Sequence, residues 1–393
     1  MAIKILKDLR KDFKLENYKI TEEDIKNYPD YNFKPFEKND INDENADSSD
    51  SSEEDKNFYN GEKLVISSSS MDEEDTIVMY KFTKDKELIP FTDFLIYQKL
   101  LDSAIILNFD KIFIAISYFF DEEVFNLEKT DEIQDGFHVP SLLLYDAFVY
   151  NTLTPQGELF VKDEDIKKIE KNDDNRFLNF TQIFSVTDKN ENSKVLGFLE
   201  NGYLVSWSML SQFSDSIEKI VFSDNTSPEK MEIDTENKLM VFTNDKKILI
   251  CEFEFQEELT LKNKIEIKND EVEDQISHSK VFKYNGEIYI FLGYESGKFT
   301  IKDTNGNKIF EDSKNFKENI VEIDLILNEN FLNILVASYD GTIGIFSLNE
   351  KKDVNLVISK KKNMELVNCK FIDENNVLFS DLNGEALNFS FNQ

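Results

Sequence analysis

Apolar and polar residues alternate in short paired runs along the C-terminal half of this chain. Leu332 to Phe346 is one such pair, two strand-like runs joined by Asp340-Gly341. Asn376 to Phe389 repeats the arrangement around Asn383-Gly384. Period-two alternation flanking Asp-Gly or Asn-Gly predicts a β-hairpin, because tight turns need residues that reach positive φ. The turn markers are Gly384, Gly341, Gly297, Asp245, Gly202 and Gly157, spaced by 43, 44, 52, 43 and 45 residues. Lys298 to Lys302 and Tyr203 to Ser208 are second strands of such hairpins. Further β-type runs, such as Glu318 to Leu327 and Asn355 to Ser359, fall between hairpins. About four strands per period mark a radial repeat.

The expected fold is therefore all-β, a single β-propeller over residues 1–393. Two further hairpins are expected near the N-terminus. Lys63 to Ser67 and Thr76 to Phe82 flank a turn near Asp75. Lys111 to Tyr118 and Val124 to Leu127 flank Asp121. That makes eight turns, but Asp121 and Gly157 are only 36 residues apart. Seven blades are the expected count, with eight as the alternative. Ala386 to Gln393 reads as the third strand of a last blade, and Ala2 to Lys7 alternates as its outermost strand would. The expectation is a ring closed by pairing the N-terminal strand with the C-terminal blade, which protects its edges. The alternative for this end is a helix from Leu6 to Leu15.

The hairpins resemble the WD-repeat family. Ala337 to Leu348 is similar to that family's second strand, turn and third strand, with Phe346 where Trp is usual. Leu196 to Trp207 matches as well and carries the chain's single Trp at that position. The resemblance covers about residues 63–393 and is strong after Val195. It implies a propeller that presents loops to other proteins. The chain departs from the family's pattern: no Gly-His pair precedes a repeat, no Trp-Asp pair closes one, and His138 and His278 are the only histidines. The family's buried His–Ser/Thr–Trp–Asp network is thus missing, and packing is expected to hold each blade.

Charge narrows the partners. The formal net charge is −33, which repels nucleic acid and anionic membrane. A Lys/Arg-rich protein is the natural partner; a merely solubilising surface is the alternative. Between Pro35 and Asp75 there are 14 acidic and 3 basic residues. The segment 39–60 is too polar to order itself by burial and is expected to be a disordered acidic insertion in the first blade. Cys251 and Cys369 are too few for a disulfide framework or a Cys-based zinc site. They lie in apolar runs and suit a reducing compartment, nuclear or cytoplasmic. Neither a secretory signal nor a membrane-spanning run is legible.

Candidate chemistry is sparse. No Gly-rich phosphate loop and no nucleophile elbow occurs. His138 and His278 read as loop or strand-edge residues, and the run from Asp188 to Leu199 lacks the glycine and final acid of a calcium loop. No catalytic, cofactor or metal residue is assigned. Ser51 and Ser52 each have an acid three positions on, Glu54 and Asp55, which suits an acid-directed kinase. Phe33 and Phe36, with Asp47, Asp50, Glu53, Glu54 and Asp55, are the candidate partner-binding residues. Phe119 and Phe120 are expected in the core. Lys360 to Lys362 form a basic cluster that reads as a surface loop or an import signal. The expected function is a non-enzymatic scaffold, a subunit or adaptor of a larger intracellular hetero-complex. The alternative is a propeller hydrolase with a carboxylate site in the central channel.

Overall fold

The computed structural model describes all residues except 1, 7–12, 15, 18–56, 59–61, 71–74, 97–98, 109–110, 120–138, 140, 148, 151–154, 172–177, 188–192, 210, 256–258, 271–273, 329, 382–385 and 391–393. Among the described residues seven antiparallel sheets form the blades, beside two two-stranded pairs, Val149–Tyr150 with Glu16–Asn17 and Phe13–Lys14 with Asn57–Phe58. Blade 1 combines Ala2–Leu6 with Lys63–Ser70, Asp75–Phe82 and Leu88–Ile96. Blade 2 runs Leu100–Asn108, Lys111–Tyr118, Leu142–Asp146 and Gly157–Leu159. Blade 3 runs Phe180–Thr187, Ser193–Leu199, Tyr203–Ser208 and Ser216–Lys219. Blade 4 runs Lys230–Asp234, Leu239–Thr243, Lys247–Phe255 and Leu259–Lys268. Blade 5 runs Ile276–Tyr284, Glu287–Tyr294, Phe299–Asp303 and Lys308–Asp312. Blade 6 runs Ile320–Leu327, Phe331–Ser338, Thr342–Asn349 and Val354–Lys361. Blade 7 has three strands, Leu366–Asp373, Asn376–Asp381 and Ala386–Ser390.

The fold is thus a seven-bladed β-propeller. The short spacing from Asp121 to Gly157 has a simple cause. Gly157 opens the outer strand of blade 2, whose third strand is Leu142–Asp146, so it marks no blade of its own. The expected strand at Val124 to Leu127 lies outside the described residues, as does most of the Leu6 to Leu15 segment. The helix Asp163–Glu170, between blades 2 and 3, was not foreseen. Its buried Ile169 joins the core there.

Ring closure differs from expectation. Ala2–Leu6 pairs antiparallel with Lys63–Ser70, as the inner strand of blade 1. It does not pair with blade 7. The ring closes instead through side chains: Val65, Tyr80 and Phe82 of blade 1 pack on Ile372, Leu378 and Ala386 of blade 7. The Lys63 ammonium also donates to the Ile372 carbonyl.

The core lies between blades, in seven apolar clusters that each join one blade to the next. A strand buried on both faces needs apolar residues at successive positions rather than strict alternation. Phe331–Ser338 shows how this is used. Leu332, Ile334 and Val336 face blade 5, while Leu335 and Ala337 face blade 7.

Packing does hold the blades where the family resemblance would have placed a polar network. Phe346 nests against Phe299, Phe310 and Phe316 with ring centroids 5.4, 5.5 and 6.3 Å away. Trp207 meets Phe180 edge-on at 5.4 Å, and its indole N–H donates to the Phe160 carbonyl at 2.8 Å. Trp207 is fully buried. Trp207→Ala is expected to cost about 3–5 kcal/mol, from lost transfer energy and the cavity left behind. Urea unfolding followed by circular dichroism measures this; a loss under about 1 kcal/mol contradicts the placement.

Candidate functional site

The innermost strands line a central channel that contains a cavity of about 580 Å³. The third residue of each inner strand in blades 2–7 is polar: Asp102, Gln182, Glu232, His278, Glu322 and Asn368. All six line the cavity. In five of these strands the register shifts just before that residue, a β-bulge at Leu101, Thr181, Ser277, Val321 and Val367. A bulge sets two residues against one on the partner strand and re-aims the following side chain. It lets both the bulged residue and its polar neighbour face the channel.

The channel side chains are spent on binding blade to blade. Asp102 Oδ2 accepts from the Ile183 N–H at 2.9 Å, joining blades 2 and 3. Gln182 exchanges two bonds with the Met231 backbone, at 2.9 and 2.7 Å, joining blades 3 and 4. Lys230 donates to the carbonyls of Ile276 and Ser277, both at 2.9 Å, and Ser277 Oγ donates to the Ile320 carbonyl at 2.7 Å. Asp75, in blade 1, accepts from the Leu100 N–H of blade 2.

The densest part spans blades 4–7. Lys280 pairs with Glu232, and Lys370 Nζ lies 2.8 Å from Glu322 Oε1. Asn368 Nδ2 donates to Glu322 Oε2 at 2.9 Å. His278 Nε2 lies between the two acids, 3.1 Å from Glu322 and 4.0 Å from Glu232. Neither contact has the alignment of a hydrogen bond.

Burial alone would raise the pKa of Glu322, but Lys370, His278 and Lys280 outweigh it and hold the carboxyl well below its usual range. Glu232 follows the same balance: burial opposes ionisation, and Lys280, His278 and Lys370 overcome it. Burial likewise works against the Lys370 ammonium, yet Glu322, Asp324 and Glu232 raise its pKa above the normal value. The result is a set of buried ions, each satisfied by a neighbouring blade.

His278 therefore corrects an expectation. It sits in the channel, near the start of the inner strand Ile276–Tyr284, an edge strand of its sheet, and not in a loop. The signal was present in the chain: from Gln182 onward the polar third position recurs after 50, 46, 44 and 46 residues. The hairpin turns lie between the second and third strands of a blade and do not mark the inner one.

His138 and the predicted sites Phe33, Phe36, Asp47, Asp50, Ser51, Ser52, Glu53, Glu54 and Asp55 lie outside the described residues. So does the acidic segment 39–60, apart from the short strand Asn57–Phe58. Phe119 is 44 % exposed, against the expectation of burial. The exposed aromatic pair of the described surface is elsewhere. Phe160 and Phe213 lie 6.1 Å apart at the join of blades 2 and 3. Both cysteines are buried; burial pushes Cys251 up to about 12 and raises Cys369 as well, so neither is a reactive thiolate. Among the described residues no group of three or more His, Cys, Asp or Glu is placed to hold a metal ion. No described helix is long and apolar enough to cross a membrane.

These features define a seven-bladed β-propeller with an ion-paired central channel. Among solved structures the chain is similar to BBS1N, crystallised in complex with ARL6DN and soaked with lead. That match has a TM-score of 0.52 at 14 % identity, over 83 % of this chain and 87 % of that one. The mercury-soaked form of the same complex matches with a TM-score of 0.49 at 13 % identity, over 82 % and 89 % of the two chains. No family model matches the sequence, and no curated protein is similar to it. The likeness supports the propeller architecture, not membership of the WD-repeat family.

Proposed function

We propose that this protein is a non-catalytic interaction scaffold, a subunit or adaptor of a larger intracellular assembly in the nucleus or cytoplasm. The observation that carries this reading is the use of the channel side chains. Glu232 and Glu322 sit where a propeller hydrolase would need its carboxylates, but each is bound to a lysine and held ionised. A general acid needs a proton near neutral pH, and both are pushed the other way. The remaining polar groups named in the channel hold neighbouring blades together. What such a disc offers other molecules is its rims and loops. The similar BBS1N structure is itself of a complex with another protein, which agrees with this role and goes no further.

The partner in this proposal is Lys/Arg-rich and meets the acidic surface, with the segment 39–60 as the strongest attractor. Phosphorylation of Ser51 and Ser52 would add charge there and tighten the contact. With the full chain as bait in a cell extract, the retained proteins are expected to be rich in Lys and Arg. Raising the salt from ~0.05 M to ~0.5 M is expected to release most of them. Deleting residues 39–60 is expected to weaken retention several-fold. Retention unaffected by salt removes the electrostatic part of the proposal; failure to retain any protein removes the scaffold itself.

A further inference from the structure

Blade 7 differs from its neighbours. Each of the other blades has four strands, whereas Ala386–Ser390 pairs only with Asn376–Asp381 and forms a free edge among the described residues. The N-terminal strand that could have completed it is the inner strand of blade 1. A free edge presents unpaired backbone N–H and C=O groups, ready to pair with another strand.

The walls beside this edge have a definite chemistry. Leu387 and Phe389 face blade 6, where they pack near Ile358. Beyond them Leu356 and Val357 are each 41 % exposed on the outer strand of blade 6. The Lys360 ammonium lies 4.3 Å from the centre of the Phe389 ring, and that of Lys362 lies 4.8 Å from the same centre. Neither lysine has a carboxylate partner among the described residues, although Lys361 between them pairs with Asp340 at 2.9 Å. Two ammonium groups thus share one aromatic ring in a protein of net charge −33. On the other face, Asn388 Nδ2 donates to the Lys86 carbonyl of blade 1 at 3.1 Å, while its Oδ1 is buried without a partner.

We propose that the outer edge of blade 7 receives an extended acidic segment of another protein as a fourth strand. Backbone pairing to Ala386–Ser390 supplies the affinity, and alternate side chains supply the specificity. Residues facing blade 6 meet Leu356 and Leu387 with apolar groups and Lys360 and Lys362 with carboxylates. This interface has the opposite charge preference from the acidic surface invoked above, and it stands or falls separately.

The test uses the full chain and a fluorescein-labelled peptide of alternating Glu and Val, about eight residues long, the length of one strand. General electrostatics opposes this binding, since both molecules are acidic. Measurable anisotropy binding, with slower amide exchange across Ala386–Ser390, is the expected result. The double variant Lys360→Glu/Lys362→Glu, changed only at surface lysines, is expected to weaken binding at least ~10-fold, a few hydrogen-bonded charges' worth. A Glu/Val peptide with a central proline is expected to bind comparably poorly, since proline cannot donate to the ladder. Four results overturn the proposal: no binding of the Glu/Val peptide, equal binding of the proline peptide, equal binding by the double variant, or strand amides already protected in the free protein. The last means that this chain covers its own edge.

Discussion

Glu322→Gln is expected to destabilise the fold by about 3 kcal/mol, the lower end of the range for breaking a buried ion pair. The carboxylate is 3 % exposed and is shared by Lys370, His278 and Asn368. Glutamine keeps the shape but removes the charge, so Lys370 is left without its nearest counter-ion. The lower end applies because the Lys370 side chain remains 20 % exposed and keeps some hydration. Lys370→Met in the same background is expected to recover part of the loss, since the remaining partner is then no longer an unpaired ion. Urea unfolding of the two single variants and the double gives the coupling directly. A loss below about 1 kcal/mol for Glu322→Gln contradicts the network.

The same carboxylates set a pH window. The folded pKa values of Glu322 and Glu232 are lowered from 4.5. Their contribution is therefore complete above pH 4.5 and is lost as pH falls through the folded values. The folded pKa of Lys370 is raised from 10.5, so its contribution is complete below that value and is lost as pH rises beyond it. The contribution of these three groups should be flat between these limits. Thermal unfolding across that range checks it, and Glu322→Gln should flatten the acid limb.

Gly341→Ala carries the other large effect, about 3 kcal/mol or more. Gly341 has φ +87° in the turn between the second and third strands of blade 6. Alanine pays about 1 kcal/mol for that backbone region. Its Cβ would also lie 2.5 Å from the Met364 carbonyl oxygen and closer still to that of Lys362. Both belong to the link leading into blade 7, and backbone cannot swing aside as a side chain can. Gly297 stands in the same relation to the next link, where a Cβ would be 2.8 Å from Glu318 O and 2.9 Å from Phe316 O. Gly286 is the control. Its φ is +81° but nothing lies within 4 Å, so Gly286→Ala should cost only the conformational part, about 1 kcal/mol. Equal losses for the two substitutions, measured by urea unfolding, would contradict the close approach.

These glycines explain why the repeat was legible. The turns at Gly202, Gly297 and Gly341 are fixed twice, by positive φ and by the chain packed against them. Both constraints act locally, so they leave a fixed residue type at a fixed spacing. The same holds for the apolar runs, which must fill two neighbouring interfaces at once.

Other features had no such local signature. The eighth turn vanished because Gly157 belongs to the outer strand of blade 2, a matter of which strands pair. The buried Trp207 was visible, but its bond to the Phe160 carbonyl depends on a loop 47 residues away.

The sequence by itself determined the strands, the tight turns and the radial repeat, because alternation and turn chemistry are set by residues a few positions apart. Tertiary structure alone decided how the ring closes, which channel ions pair with which, and where an edge stays open. Each of these depends on partners 25 to 309 residues distant, such as Asp75 with Leu100 and Lys63 with Ile372. No local pattern records such a pairing, because a polar side chain near a strand's start reads the same whether it faces solvent, a channel or the next blade.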